Sequence, residues 1–240
     1  MTLKIRRIAS EILYTTSKMK ITGHRGAKAL APENTVASLL KAIEHGVDEV
    51  EFDVRVTSDG VPILHHNSVL TDRSGTRLKV ATSSLKQLRA HKADLATLED
   101  AAKAINRRVP MIIELKPGLD DAAVVKAIKA LLRKGWQPTD MLIISRHQRL
   151  LRPMHQALPD IGIGVIESWS GVRATWRARQ VGAKRLYMNH WWLWPGFIRA
   201  MSRQGWQLHA YTLNNPVRAR KWAKHGLSGV VTDFPDRYEA

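Results

Sequence analysis

At 240 residues with 44% hydrophobic side chains, the chain is long enough for one large domain with a substantial core, which excludes a disordered protein. The absence of cysteine rules out disulfides, thiolate metal sites and cysteine nucleophiles, and fits a reducing compartment. A formal charge of +17, from 38 Lys+Arg against 21 Asp+Glu, favours polyanions, anionic membrane surfaces or phosphorylated substrates, with solubility the plainer alternative.

The basic residues are spread through helical stretches (Arg173, Arg177, Arg179, Arg218, Arg220, Lys221, Lys224) and form no long tail, so charge alone does not predict a nucleic-acid binder. In residues 1–18, Lys4, Arg6 and Arg7 precede Ile8, Ile12 and Leu13 without a sustained apolar run. That pattern predicts neither a secretory leader nor a spanning helix, and it favours the cytoplasm. Residues 1–18 are read as an N-terminal extension to a domain over 19–240, a short amphipathic helix against the body or an anionic membrane being the alternative.

From residue 20 onward, short β-rich runs alternate with helical stretches. Strands are predicted over 20–22, 50–56, 111–114, 141–145, 162–166, 185–188, 207–212 and 229–232, with amphipathic helices over 35–45, 122–134, 148–158, 195–204 and 216–225. Glycines at 46, 135, 205 and 226 fall where helices stop. Eight strands with intervening helices predict an α/β fold, a closed (β/α)₈ barrel, with an open doubly wound sheet as the alternative. One stretch departs from the rhythm. After a turn at Asp59-Gly60 and a short strand over 61–65, residues 67–95 run through Ser, Thr, Lys and Arg with little periodicity before a helix resumes over 96–105. This reads as a small insertion after the second barrel strand.

Catalytic groups of a barrel cluster at the C-terminal ends of its strands. There the chain carries Gly23-His24-Arg25-Gly26, Glu51-Phe52-Asp53, His65-His66 and Glu114-Leu115-Lys116. Glu51 and Asp53 are two apart, so their side chains share a face. Turned outward, they would set Phe52 inward among Val50, Val54 and Val56, the wrong parity for a strand buried on both sides. Turned inward, they repel each other unless a cation intervenes, and hard Mg²⁺ or Ca²⁺ prefers such oxygen ligands. Glu114 supplies a third carboxylate. His24 and His66 suit proton transfer, histidine titrating near neutrality. Arg25 and Lys116 suit phosphate oxygens, and the glycines beside Arg25 would let a phosphate approach the backbone. Asn34 or Thr35 is expected to cap a helix. The remaining histidines, with His147 the most ambiguous, are read as structural or surface residues. Trp191, Trp192 and Trp194 follow the sixth strand, where they would pack on the neighbouring helix, stack on a head group or sit in a lipid interface.

These motifs together resemble the glycerophosphodiester phosphodiesterase family of the bacterial cytosolic type. The resemblance runs from about Lys20 to Asp236. It rests on His24-Arg25-Gly26, Pro32-Glu33-Asn34-Thr35, Glu51-Phe52-Asp53-Val54, Asp59-Gly60, a histidine after the hairpin strand, Glu114-Leu115-Lys116, Tyr211-Thr212-Leu213-Asn214 and Thr232-Asp233-Phe234-Pro235 in that order. It implies a TIM barrel with a small insertion after the second strand and a Mg²⁺ or Ca²⁺ site at Glu51, Asp53 and Glu114. It further implies His24 and His66 as the acid–base pair, and Arg25 and Lys116 as phosphate ligands. The implied reaction hydrolyses a glycerophosphodiester to glycerol 3-phosphate and an alcohol, the neighbouring glycerol hydroxyl attacking phosphorus first. Where the family carries His-Asp, this chain reads His65-His66-Asn67. Counting from Gly60 and matching Leu70 to the family's downstream leucine assigns the catalytic role to His66, with Asn67 replacing the aspartate and His65 the alternative. The family's arginine after that leucine is displaced, with Asp72 and then Arg73 here. Two other readings stand beside the implied one: lysophospholipase D-type activity at membranes, and a catalytically weakened barrel that binds nucleic acid or anionic lipid through its charge.

Overall fold

Each predicted barrel strand forms, and the sheet they make closes on itself. The computed structural model describes residues 18–118 and 120–239. The N-terminal extension lies outside these residues except for Lys18. In chain order the elements are β1 (Lys20–Gly23), α1 (Val36–Glu44), β2 (Glu49–Val56), β3 (Pro62–Leu64), β4 (Val69–Thr71), β5 (Arg77–Lys79), α2 (Leu85–His91), α3 (Leu98–Ile105), β6 (Met111–Leu115) and α4 (Asp121–Arg133). They continue with β7 (Met141–Ser145), α5 (Gln148–Ala157), β8 (Gly162–Glu167), α6 (Gly171–Gln180), β9 (Arg185–Asn189), α7 (Pro195–Arg203), β10 (Gln207–Tyr211), α8 (Pro216–Ala223) and β11 (Gly229–Thr232). The parallel strands run β1-β11-β10-β9-β8-β7-β6-β2, and β1 pairs with β2 as well as β11. The result is an eight-stranded TIM barrel; the open-sheet alternative is excluded by the β1–β2 pairing.

Strand parity determines what lies inside. On β2 the residues Val50, Phe52, Val54 and Val56 belong to the main apolar core with Leu39, Ala42 and Leu98 of the helices. Burying side chains of this kind contributes about 1.5–3 kcal/mol each. The opposite parity, Glu49, Glu51 and Asp53, is buried and faces the barrel axis. Ile112, Ile144, Ile166, Tyr187 and Val231 form a separate apolar cluster, the interior layer of a closed barrel. Thr35 caps α1 by accepting from Ser38 N at 3.2 Å. Gly46 and Gly226, at φ +69° and +97°, end α1 and α8 in the left-handed region as predicted.

Two features went unread in the sequence. Residues 67–95, expected as a small insertion, carry regular elements of their own. β4 and β5 form an antiparallel hairpin, α2 carries a capping box between Ser84 and Gln87, and Ile63, Leu70, Val80, Leu88 and Leu95 make a small core of their own. Strands of three residues are too short to show a period, and the polar residues between them hide it. The helix α6 went unpredicted because its sequence, Gly-Val-Arg-Ala-Thr-Trp-Arg-Ala-Arg-Gln, has few apolar residues to mark a stripe.

At the closed lower end of the barrel, Glu49 accepts from Lys20 Nζ (2.7 Å), Thr22 Oγ1 (3.1 Å) and Arg185 NH1 (2.9 Å). Burial alone would raise its carboxyl, but Arg185, His209 and Lys20 hold it below the usual range. His209, stacked at 5.0 Å on Tyr187, is pushed down to about 3, first by burial and then by Arg185. A histidine whose folded pKa lies below its unfolded value of about 6.5 takes up a proton on unfolding, so its share of stability is lost as pH falls below about 6.5. Between pH 8 and pH 5.5 this one group costs about 1.4 kcal/mol. Urea unfolding at the two pH values is expected to show that loss in the native protein and a correspondingly smaller one in His209→Leu. An unchanged pH dependence in the variant would contradict the assignment.

Candidate active site

The loop after β1 carries two consecutive residues in the left-handed region of the backbone. Arg25 sits at φ +50° and Gly26 at +82°, a conformation that costs a non-glycine residue about 1 kcal/mol. Three hydrogen bonds hold Arg25 there: its N–H donates to Glu51 Oε2 (2.9 Å), and its carbonyl accepts from Ser38 Oγ (2.7 Å) and Asn34 N (3.1 Å). The neighbouring glycines do not face the cavity, as the sequence suggested. A Cβ on Gly26 would meet Ser38 Oγ at 2.3 Å, and one on Gly23 would meet Gly26 O at 2.7 Å and Ala42 Cβ at 2.9 Å. Both glycines let the loop close onto α1 instead.

The pairing of β2 with β6 sets Asp53 opposite Glu114. Glu51, Asp53 and Glu114 each offer an oxygen within 4.8 Å of the others. Asp53 is held by Arg25 Nε (3.1 Å), Lys116 Nζ (2.8 Å) and Asn34 Nδ2 (2.9 Å), and its N–H donates to Asn34 Oδ1 (3.0 Å). Burial is thereby overcome and its carboxyl stays low. Glu114 accepts from Lys116 Nζ at 2.6 Å, yet burial and then the nearby Asp53 push its carboxyl up against that bond. Glu51 is the least satisfied. Its Oε1 is buried without a partner, and burial followed by the charges of Asp53 and Glu114 pushes it well up. An orphaned carboxylate oxygen beside two further carboxylates is a set that a hard divalent cation fits.

His24 N–H donates to Thr232 O at 2.8 Å, bringing the first strand's end against the last strand's. Its ring Nδ1 lies 2.6 Å from Asp233 Oδ1, and Asn214 Nδ2 donates to Asp233 Oδ2 at 3.1 Å. Asp233 is consequently held low despite its burial, through His24 and Asn214. His66 Nδ1 sits 3.0 Å from Asn67 Oδ1. Burial, with Lys116 and Arg25 contributing, lowers its pKa. His65 Nε2 instead lies 3.4 Å from Val69 O. A cavity of about 190 Å³ is lined by His24, Arg25, Glu51, His66, Glu114 and Lys116, with Arg146, Tyr187 and Tyr211 on the opposite wall. The predicted residues therefore meet around one cavity, except Asp53, which is bound to Arg25 and Lys116 of its lining. His66 rather than His65 faces it, with the neutral amide of Asn67 beside its ring.

Four participants were missed. Of Asn34 and Thr35, the two N-cap candidates, Thr35 is the cap; Asn34, at φ +58°, clamps Asp53. Asp233 and Asn214 lay inside motifs already noted, and only the closing of the barrel shows that both support His24. Arg146 carried no signal beyond its position one residue after β7. It donates to Ser168 Oγ at 2.7 Å and stacks 5.1 Å from the Tyr211 ring. His147, the ambiguous histidine, occupies the N-cap position of α5 without a capping bond from its side chain.

Residues 24–237 match the model of the "Glycerophosphoryl diester phosphodiesterase family". The chain is 28% identical over 232 residues to the Bacillus subtilis protein YhdW, covering 91% of this chain and 96% of that one. It is 24% identical over 240 residues to a glycerophosphodiester phosphodiesterase of Caldanaerobacter subterraneus, with 91% and 96% covered. Among solved structures it resembles in fold an Oleispira antarctica phosphodiesterase in complex with the product sn-glycerol-3-phosphate. The TM-score is 0.80 at 24% identity, with 91% of this chain and 94% of that chain covered.

Proposed function

The chain belongs to the glycerophosphoryl diester phosphodiesterase family, and on that footing we propose that it hydrolyses glycerophosphodiesters to glycerol 3-phosphate and an alcohol. The observation that carries this reading is the convergence on one cavity of two histidines, three cations and the carboxylates Glu51 and Glu114, with Asp53 grouped beside those two and one oxygen of Glu51 orphaned. Glu51, Asp53 and Glu114 would hold Mg²⁺ or Ca²⁺, which when bound neutralises charge on the phosphoryl oxygens. Arg25, anchored by Glu33 and Asp53, and Lys116 present positive charge to the same oxygens.

The two histidines have different partners, and this supports different roles. His66 backs onto a neutral amide and is depressed by burial, so at neutral pH it is unprotonated and suits the base. His24 Nδ1 lies 2.6 Å from the Asp233 carboxylate, a partner that fixes the orientation of the ring, and in this reading His24 is the acid. His66 takes the proton of the glycerol 2-hydroxyl as that oxygen bonds to phosphorus. The phosphorus–alkoxide bond breaks, and the departing oxygen takes its proton from His24. Water then opens the cyclic phosphate with the two roles reversed, leaving glycerol 3-phosphate and restoring both histidines.

The reading is tested by release of glycerol 3-phosphate from glycerophosphocholine with EDTA and then with Mg²⁺ or Ca²⁺ restored. Activity that chelation removes and metal returns is expected; a folded, metal-loaded protein inert toward every glycerophosphodiester would sink the reading. Asp233 acts through His24 and is a positioning residue. Asp233→Asn is expected to lower kcat about tenfold to a hundredfold with KM unchanged, in the range seen for outer partners of functional histidines. A KM effect alone would instead make Asp233 part of the substrate surface.

A further inference from the structure

Among the described residues, six of the nine exposed large apolar side chains fall on two segments, Leu30, Leu40 and Val217 being the others. Trp169, Val172, Trp176, Trp191, Trp192 and Trp194 are all exposed, Trp191 at 76%, Trp169 at 64% and Trp194 at 58%. They lie on the two segments that follow β8 and β9, paired neighbours in the barrel, at the end where the candidate site opens. Five of the chain's eight tryptophans fall here; of the alternatives for Trp191, Trp192 and Trp194, packing on the neighbouring helix holds for Trp194, on Phe197 of α7, while Trp191 and Trp192 stand exposed.

Local structure holds these rings outward. Trp191 N donates to Asn189 Oδ1 at 3.0 Å and opens a 3₁₀ turn over His190–Trp192. Trp194 stacks on Phe197 at 5.2 Å. The Phe197 ring lies so close to Gly171 that a Cβ there would meet it at 2.5 Å, which joins the β8–α6 and β9–α7 segments into one platform. Val172 and Trp176, four apart on α6, share a helix face that extends it. A contiguous exposed apolar patch marks a docking surface, and tryptophan favours a boundary where one edge is apolar and the other wet.

Charge identifies the occupant. Around the platform, Arg146, Arg149, Arg173, Arg218 and Arg237 are exposed on the segments that follow β7, β8, β10 and β11. Two of the acids at the β8 and β11 ends are engaged: Glu167 is buried and bridged by Arg173 (2.7 Å) and Arg177 (3.2 Å), and Asp233 is held on His24; Asp236 is half-buried beside Arg237. With the net +17 of the whole chain, this face combines aromatic and cationic groups, the pair that binds an anionic lipid interface. We propose that the tryptophan platform beside the cavity docks onto an anionic bilayer and holds the cavity mouth at the lipid surface. The inference stands whether or not the hydrolytic reading does.

The test is co-sedimentation with phosphatidylcholine vesicles made with and without phosphatidylglycerol, together with tryptophan emission and its quenching by brominated acyl chains. The full chain is compared with the Trp169→Ser/Trp191→Ser/Trp192→Ser/Trp194→Ser variant. The native protein is expected to bind only the anionic vesicles, with blue-shifted and quenched emission, and the variant to bind about tenfold more weakly or worse. Circular dichroism and hydrolysis of glycerophosphocholine in free solution, expected unchanged in the variant, separate loss of docking from loss of fold or of chemistry. Equal binding by both proteins would overturn the proposal in favour of charge alone. Absence of vesicle binding would overturn it too, as would a native dimer that the variant abolishes or nucleic-acid retention that the variant loses.

Discussion

Glu51→Gln is expected to abolish turnover while making the metal-free protein more stable. Glutamine keeps an acceptor for the Arg25 N–H and turns an amide toward the carboxylates of Asp53 and Glu114. It removes a buried carboxylate whose Oε1 has no partner and whose ionisation burial, Asp53 and Glu114 all oppose. Relieving such a charge stabilises by about 1–3 kcal/mol, the usual exchange between a strained functional site and stability. Activity on glycerophosphocholine falls about a thousandfold, the scale of losing electrostatic support for developing charge. Thermal unfolding separates the two effects. Metal-free, the variant melts higher; with metal at a hundredfold excess over its dissociation constant, the native protein gains about 2.7 kcal/mol and the variant does not. A variant less stable than the metal-free native protein, or a native protein indifferent to both Mg²⁺ and Ca²⁺, would remove Glu51 from the metal set.

Substituting the two histidines is expected to give losses that differ with the leaving group. His24→Ala and His66→Ala each cost about 10²–10⁴-fold on glycerophosphocholine, the usual weight of a positioned acid or base. A p-nitrophenyl ester of glycerol 3-phosphate departs without needing a proton. On that substrate His24→Ala recovers most of its rate in the first step, because only the acid has been lost, whereas His66→Ala stays slow. Recovery by His66→Ala instead would exchange the roles, and recovery by neither would mean that the pair does not divide the work as proposed. His65→Ala serves as a control. Its ring points to the hairpin at Val69 O, and its loss is expected to leave both rates near native.

What could be read from the sequence followed from how strongly each residue is constrained. Eight barrel strands were legible because burial on both faces leaves continuous apolar runs such as Met111-Ile112-Ile113. The carboxylates of β2 were legible because Glu51 and Asp53 interrupt such a run at spacing two. The strands β4 and β5 were not, since three residues carry no period. Of the site, the cavity residues His24, Arg25, Glu51, His66, Glu114 and Lys116 were found from local motifs, while Tyr211 and Thr212, inside a noted motif, were not singled out. Asn34, Asn214 and Asp233 act through contacts separated by 19 to 209 positions in the chain, and no local pattern reports a pairing of that range. The roles of the flanking glycines were misjudged for the same reason: Ser38 and Ala42, which crowd them, belong to the next helix.

The meeting of β1 with β11 puts a clock on the enzyme. His24 is among the earliest residues of the barrel to leave the ribosome, and its partner Asp233 is among the last. Until Thr232 and Asp233 emerge and the first strand is gripped from both sides, the carboxylates can already stand together on β2 and β6, but His24 lacks the Asp233 carboxylate that holds its ring. A nascent or prematurely terminated chain would thus hold charges and yet perform no hydrolysis. Joining the first and last strands is the longest-range and entropically costliest contact in the fold, so the appearance of activity during synthesis times the closing of the barrel itself.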